Sequence, residues 1–163
     1  MKKKSAFSTL MYYAGSHKYL IYASCILAAL SALIALIPFY DVWRIMKEVL
    51  EVRPDFSAAV YIKSYGWQAV GFALLSMVIY IAGLMCSHKA AFRVQATMRT
   101  VMMEYIMKLP LGYVESQRTG KIRKIVADSS AATETYLAHN LPDKAVSMAT
   151  PVGLLIMLSL IHI

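Results

Sequence analysis

Charge is scarce in this chain: 16% of its 163 residues are Asp, Glu, Lys or Arg, 59% are hydrophobic, and two long runs carry no charge. Soluble domains average about 25% charged residues. The shortfall excludes an ordinary water-soluble fold and, with a mean hydropathy of +0.54, places the chain in a lipid bilayer. Acidic residues are scarcer still, nine against seventeen Lys and Arg, which leaves a net charge of +8. The basic residues lie beside apolar runs, where they set topology and meet lipid headgroups, so no nucleic-acid partner is expected. Only two cysteines are present, Cys25 and Cys86, both inside apolar runs. That excludes a disulfide framework and leaves two small buried hydrophobes.

Chemistry-bearing constellations are also missing. No paired carboxylates, Ser/His/Asp set or Cys/His set stands out, so no catalytic residue is expected here. Gly120 and Lys121 look like the end of a phosphate-cradling loop, but Ile122 stands where a hydroxyl is needed and Glu115 where the first glycine belongs. His139, with Glu134 and Asp143 near Pro142, has the scatter of a solvated helix face rather than a metal centre. No cofactor or metal is expected in this chain.

What is present is a sequence of helices. Phe7, Leu10, Met11 and Ala14 fall at helical spacing, which predicts a short helix in the interface plane over residues 1–18, its charge supplied by Lys2, Lys3 and Lys4. Tyr12, Tyr13, Tyr19 and Tyr22 suit an aromatic belt where the chain enters the bilayer. The first span is expected at about 19–40, with no charge between Lys18 and Asp41. Ser24, Ala28 and Ala32 recur every fourth position and offer a small-residue packing face. Pro38 lies near the exit, where its lost backbone bond is expected to be tolerated or to kink the last turn. The connection from Asp41 to Lys63 carries four basic and four acidic residues, and the helix is expected to break near Arg53 and Pro54. The second span, about 64–87, carries Tyr65 and Trp67 as an interface anchor, and Gly66, Gly71 and Gly83 permit close helix contact. Ser24, Ser31, Gln68 and Ser76 are polar within spans and suit either a lined pathway or bonds to neighbouring helices.

Beyond Ser87 no breaker occurs until Pro110. Ala91, Val94, Met98, Val101 or Met102, Tyr105 and Leu109 form an apolar stripe on a helix that runs on into water to about residue 109. A loop over 110–128 comes next, in which Thr119 is expected to cap a brief helix through Val126. Ile122, Ile125 and Val126 give it one apolar face, and Lys121, Arg123 and Lys124 one cationic face. Asp128 or Ser129 is expected to cap the returning helix, and a third span begins at about residue 141. Basic residues on either side of the spans put the amino terminus and this excursion in the cytoplasm of a multi-pass protein of the plasma (inner) membrane.

The stretch KLPLGYVESQRTGKIRKIVAD carries a Leu-Pro, an aromatic residue, Thr-Gly, an apolar residue two further, and an Asp. These are Leu109, Pro110, Tyr113, Thr119, Gly120, Ile122 and Asp128. With two spans before it and a return through ETYLAHNLPD, the chain resembles the amino-terminal part of an ABC exporter-type transmembrane domain. His139 to Asp143 is similar to a subgroup that includes siderophore-associated transporters, and Tyr113 stands where many relatives have Phe. The resemblance implies an all-α membrane bundle with long cytoplasmic helix extensions, of which about 2.5 of six spans are present. It implies that Thr119, Gly120, Lys121, Ile122, Arg123 and Ile125 couple the chain to a nucleotide-binding domain, on the same chain or separate. ATP and Mg would be used there, and a second transmembrane half would complete a homo- or heterodimer in the lipid bilayer. Translocation driven by ATP hydrolysis is the expected function. The alternative is a small non-transporting membrane scaffold or assembly subunit that acts through its helical hairpin. On the transporter reading the chain ends inside its third span, and Leu158 to Ile163, which look like a translated sequencing-adaptor end, are not native.

Overall fold

The computed structural model describes residues 6–53, 60–117 and 119–162. The lysines Lys2 to Lys4 and the expected break at Pro54 lie outside the described residues. Every described element is helical: α1 (Ala6–Ala14), a 3-10 turn (Gly15–His17), α2 (Lys18–Ile34), α3 (Ile37–Glu51), α4 (Ile62–Met107), α5 (Leu111–Ser116), α6 (Thr119–Arg123), α7 (Ser129–Thr135) and α8 (Leu141–His162). Two π-helical turns, Lys124–Asp128 and Tyr136–Asn140, flank α7. Three helical stretches, Phe7–Glu51, Ile62–Met107 and Gly120–Ile161, are long and apolar enough to cross a membrane. Lipid cannot hydrogen-bond a bare backbone, so a chain of this composition must close its amide bonds within helices.

Proline sets where the helices end. Pro38 has no N–H for the carbonyl of Ile34, and its ring crowds that carbonyl. The helix opens there, one turn earlier than its sequence position at the exit of the span suggests. α2 stops at Ile34, α3 starts at Ile37, and Leu36 N–H reaches back only to the Leu33 carbonyl at 3.2 Å. Pro38 then sits in the first turn of α3, where a missing N–H costs nothing. Helix α4 is 46 residues long, on the order of 70 Å. It ends because Pro110 disfavours helical geometry at Leu109. Its last turn tightens accordingly, Lys108 N–H bonding to Tyr105 and Leu109 N–H to Ile106, both at 3.1 Å.

The chain divides into two compact units, Met1–Ser24 with Leu84–Pro142, and Cys25–Gly83 with Asp143–Ile163. The first has a core of Ala14, Ile21, Ala90, Ala91, Val94, Leu137 and Ala138, ringed by Leu10, Met11, Leu20 and Met98. Alanine on facing helices lets backbones approach closely. Gly15, at φ +51°, makes the sharp turn from α1 into α2, a left-handed conformation that glycine adopts without strain. Farther along α4, the inward positions are Met102 and Ile106, while Val101 and Tyr105 of the expected stripe are exposed.

In the second unit, Gly153 of α8 packs directly on the α2–α3 opening. A Cβ added there would lie 2.6 Å from Leu36 Cδ1 and 2.7 Å from Leu33 Cδ2. The part of α2 in this unit buries Ala28 and Ser31, while Ala32 of the expected small-residue face is only half-buried. Toward the α3–α4 connection, Arg44 Nη2 donates to the Tyr65 hydroxyl at 2.9 Å, and its guanidinium lies over the rings of Tyr65 and Tyr40. Glu48 Oε1 accepts from Tyr61 N–H at 2.9 Å.

Two glycine substitutions test these contacts. Gly15→Ala places a side chain on a left-handed residue and is expected to cost about 1–2 kcal/mol. Gly153→Ala is expected to be absorbed by movement of the Leu33 and Leu36 side-chain ends, whereas Gly153→Leu overfills the contact by about 1–3 kcal/mol. Unfolding in SDS followed by circular dichroism should rank Gly153→Leu well below Gly153→Ala. Equal effects would mean that α8 does not seat on the opening.

Candidate functional site

The residues singled out in the sequence lie on α6 and the π turn that follows it. Pro110 caps α5, its carbonyl accepting from Tyr113 N–H at 2.9 Å and from Val114 N–H at 3.2 Å. This helix falls where the sequence suggests only a loop; its signal is the proline just ahead of a turn of ordinary helix formers. In α6, Gly120, Lys121 and Arg123 are exposed and Ile122 is half-buried; the Thr119 side chain, the expected cap, lies outside the described residues. Lys121 Nζ donates to Gln117 Oε1 at 2.8 Å.

Two apolar clefts border this element. One, of about 260 Å³, is lined by Tyr105, Tyr113, Lys121 and Ile125 among others. The second, of about 430 Å³, is lined by Met103, Arg123, Val126 and Ala127 among others. Ile106, Val114 and Ile122 line both. The single apolar face expected of Ile122, Ile125 and Val126 is therefore divided: Ile122 shares one cleft with Ile125 and the other with Val126, and Ile125 remains half exposed. Cationic side chains stand at the rims of both.

The expected cap at Asp128 or Ser129 is absent. Asp128 has helical geometry and its side chain makes no capping bond. No proline lies between Gly120 and Pro142, so the backbone stays helical and widens instead of breaking. Ile122, Val126, Ser130, Ala138 and Pro142 are spaced at multiples of four, and the last three are fully buried. Four residues of α-helix overshoot a full turn by roughly 40°, so the five such steps from Ile122 to Pro142 would carry the stripe roughly 200° around the helix. Each one-residue widening of a π turn takes back about 100°. Two π turns keep the stripe on one side.

Both turns are tied to α4 by hydroxyls. Ser130 Oγ lies 2.7 Å from the Val126 carbonyl and 3.0 Å from that of Ala127, and accepts from Arg99 Nε at 2.9 Å. At the second turn, Pro142 cannot donate to the Ala138 carbonyl four residues before it. Ser87 Oγ lies 2.9 Å from that carbonyl and 2.9 Å from the Leu84 carbonyl of its own helix, so its one proton is shared between the two and partly replaces the missing donor. The His139 ring meets His88 edge-on at 4.8 Å between centroids, a second contact from the same turn to α4.

A double-mutant cycle tests the replacement. Ser87→Ala alone leaves a buried carbonyl unpaired and is expected to cost about 1–2 kcal/mol. Pro142→Ala returns the N–H, so adding Ser87→Ala to that background is expected to be nearly neutral. Equal cost of Ser87→Ala in both backgrounds, by SDS unfolding, would show that Ser87 acts only through packing.

The chain matches the family model described as the ABC transporter transmembrane region over residues 20–163. It is 28% identical over 135 residues to the mycobactin import ATP-binding/permease protein IrtA of Mycobacterium tuberculosis, covering 83% of this chain and 15% of that protein. The protein of the same name from Mycolicibacterium thermoresistibile is 25% identical over 135 residues, covering 83% of this chain and 14% of the relative. That from Mycolicibacterium smegmatis is 24% identical over 137 residues, covering 83% and 15%. The chain thus spans a small part of the length of the relatives it matches. Its family match takes in α2, the long α4, the short basic element and the return through α8, and the chain belongs to the ABC transporter transmembrane family.

Proposed function

We propose that this chain is the permease portion of an ATP-driven transporter and that α6 with the following π turn receives the motion of a nucleotide-binding domain. The observation that carries this reading is the exposed cationic helix between two apolar clefts at the end of a 46-residue helix. Lys121 and Arg123 supply steering charge, and Ile122 and Ile125 supply apolar contact. Thr119 and Gly120 open the helix without bulk. The docking domain, on the same chain or a separate one, binds ATP and Mg, and a second transmembrane half, identical or different, closes the pathway across the bilayer.

Transmission follows from the return path. Force on α6 passes into helical backbone without a flexible break as far as α8, because both changes of register are taken up by π turns pinned to α4 through Ser130 and Ser87. A loop at either place would dissipate it. The ABC family membership and the permease names of the relatives support the reading.

Orientation is part of the proposal: the amino terminus and α5–α6 lie in the cytoplasm of a cell bounded by the plasma (inner) membrane, supported by the excess of Lys and Arg around Ser87–Ser129. With Cys25 and Cys86 replaced by serine, Gln117→Cys is expected to react with an impermeant maleimide only after cells are opened, and Val60→Cys in intact cells. The reverse pattern would invert the topology. For coupling, Lys121→Glu with Arg123→Glu is expected to weaken binding of the nucleotide-binding domain from the same locus to the nanodisc-embedded chain by more than about tenfold at low salt. Unchanged affinity would remove α6 as the docking element.

A further inference from the structure

One cleft lies well away in sequence from α6. It has a volume of about 450 Å³ and takes residues from α2, α4 and α8 within the second unit, with Ser31, Ser76, Met77, Tyr80, Asp143 and Ser147 in its lining. Alanine and valine side chains make up the rest, so the wall is apolar with a few convergent polar groups, the usual form of a small-molecule site.

The polar groups share one property. Ser31 Oγ donates to the Ala28 carbonyl at 2.8 Å, Ser76 Oγ to Ala73 at 2.8 Å, and Ser147 Oγ to Asp143 at 2.8 Å. Each hydroxyl proton is thereby directed into its own helix, and each serine oxygen keeps only lone pairs to offer a ligand. Asp143, near the start of α8, adds a carboxylate. Pro151 adds to this: having no N–H, it cannot donate to the Ser147 carbonyl. Among the described residues, Tyr80 is the one lining side chain with a donor to give, and no Lys or Arg lines the cleft.

We propose that this cleft is a binding subsite for an amphipathic cation carrying N–H donors, of the alkylammonium type, its charged head toward Asp143 and its apolar body along the alanine and valine wall. Charge complementarity selects the occupant: an anion would meet acceptors and a carboxylate, and a hydrocarbon tail alone would leave the polar oxygens without donors. The inference rests on the permease reading for its role in transport. Binding is measured without ATP or a partner domain, so failure of coupling and failure of this site are separately visible.

The test uses the full chain in phosphatidylcholine nanodiscs, with Cys25→Ser, Cys86→Ser and a reporter, Met77→Cys, that leaves every acceptor in place. Modification of the reporter by a small methanethiosulfonate reagent is timed in the presence of dodecylammonium, dodecanol or dodecyl sulfate. The site predicts that dodecylammonium slows modification at about tenfold lower concentration than either of the others. Asp143→Asn, which keeps a polar residue at the start of α8, should remove the preference for the ammonium over the alcohol. Ser76→Ala should weaken dodecylammonium protection with the helix content unchanged by circular dichroism. Equal protection by all three amphiphiles, stronger protection by the sulfate, or an undiminished ammonium preference in Asp143→Asn would overturn the proposal. So would a reporter that cannot be modified in the ligand-free chain, as a cleft filled by a neighbouring helix would give.

Discussion

A buried backbone carbonyl that loses its helical donor has no water to turn to, and the fold of this chain depends on how that demand is met. Pro142 creates one such carbonyl at Ala138, and the Ser87 hydroxyl on α4, 2.9 Å away, offers it a proton shared with the Leu84 carbonyl. The bond does two things at once. It lets the returning helix widen by one residue without leaving a polar group bare, and it fixes that widened turn against α4. The other π turn follows the same rule, with Ser130 bonding back into its own helix and Arg99 holding Ser130. Together the two turns keep Ser130, Ala138 and Pro142 buried over a length at which a plain α-helix would have rotated them away.

The same demand explains why Pro38, Pro110 and Pro142, each of which removes a helical donor, have three different results. At Pro38 the chain restarts within three residues, because nothing but helix is available to an uncharged segment. At Pro110 the chain is charged enough for water, and it turns. At Pro142 the neighbouring helix holds a donor, and the helix continues. Position relative to lipid and to a donor decides the outcome in each case.

Much of this was legible in the sequence. The uncharged runs and the absence of breakers between Ser87 and Pro110 marked the long helices, and the Leu-Pro, Thr-Gly and Asp pattern marked the family. The cap expected at Asp128 was not found, because a capping residue competes with helix continuation only where the backbone has reason to stop, and none exists before Pro142. The Ser87 bond joins residues 51 positions apart, and the pairing of Arg99 with Ser130 spans 31. No local pattern encodes which serine faces which turn. The serines themselves were visible; their partners depend on how two helices pack.

Packing in lipid also changes which residues matter. Large apolar side chains on α4, such as Trp67, Leu74, Val78 and Ile81, are exposed and gain little by touching another helix, since lipid tails are equally apolar. Contacts that distinguish one arrangement from another must then come from close fit and from hydrogen bonds. Gly153 against Leu33 and Leu36 supplies the first, and Arg44 with Tyr65 the second. Individual polar contacts of this kind average only about 0.6 kcal/mol in membrane proteins. A bundle held by several small terms, none dominant, can exchange one set of partners for another at modest cost, which is the physical property that the proposed transport role requires.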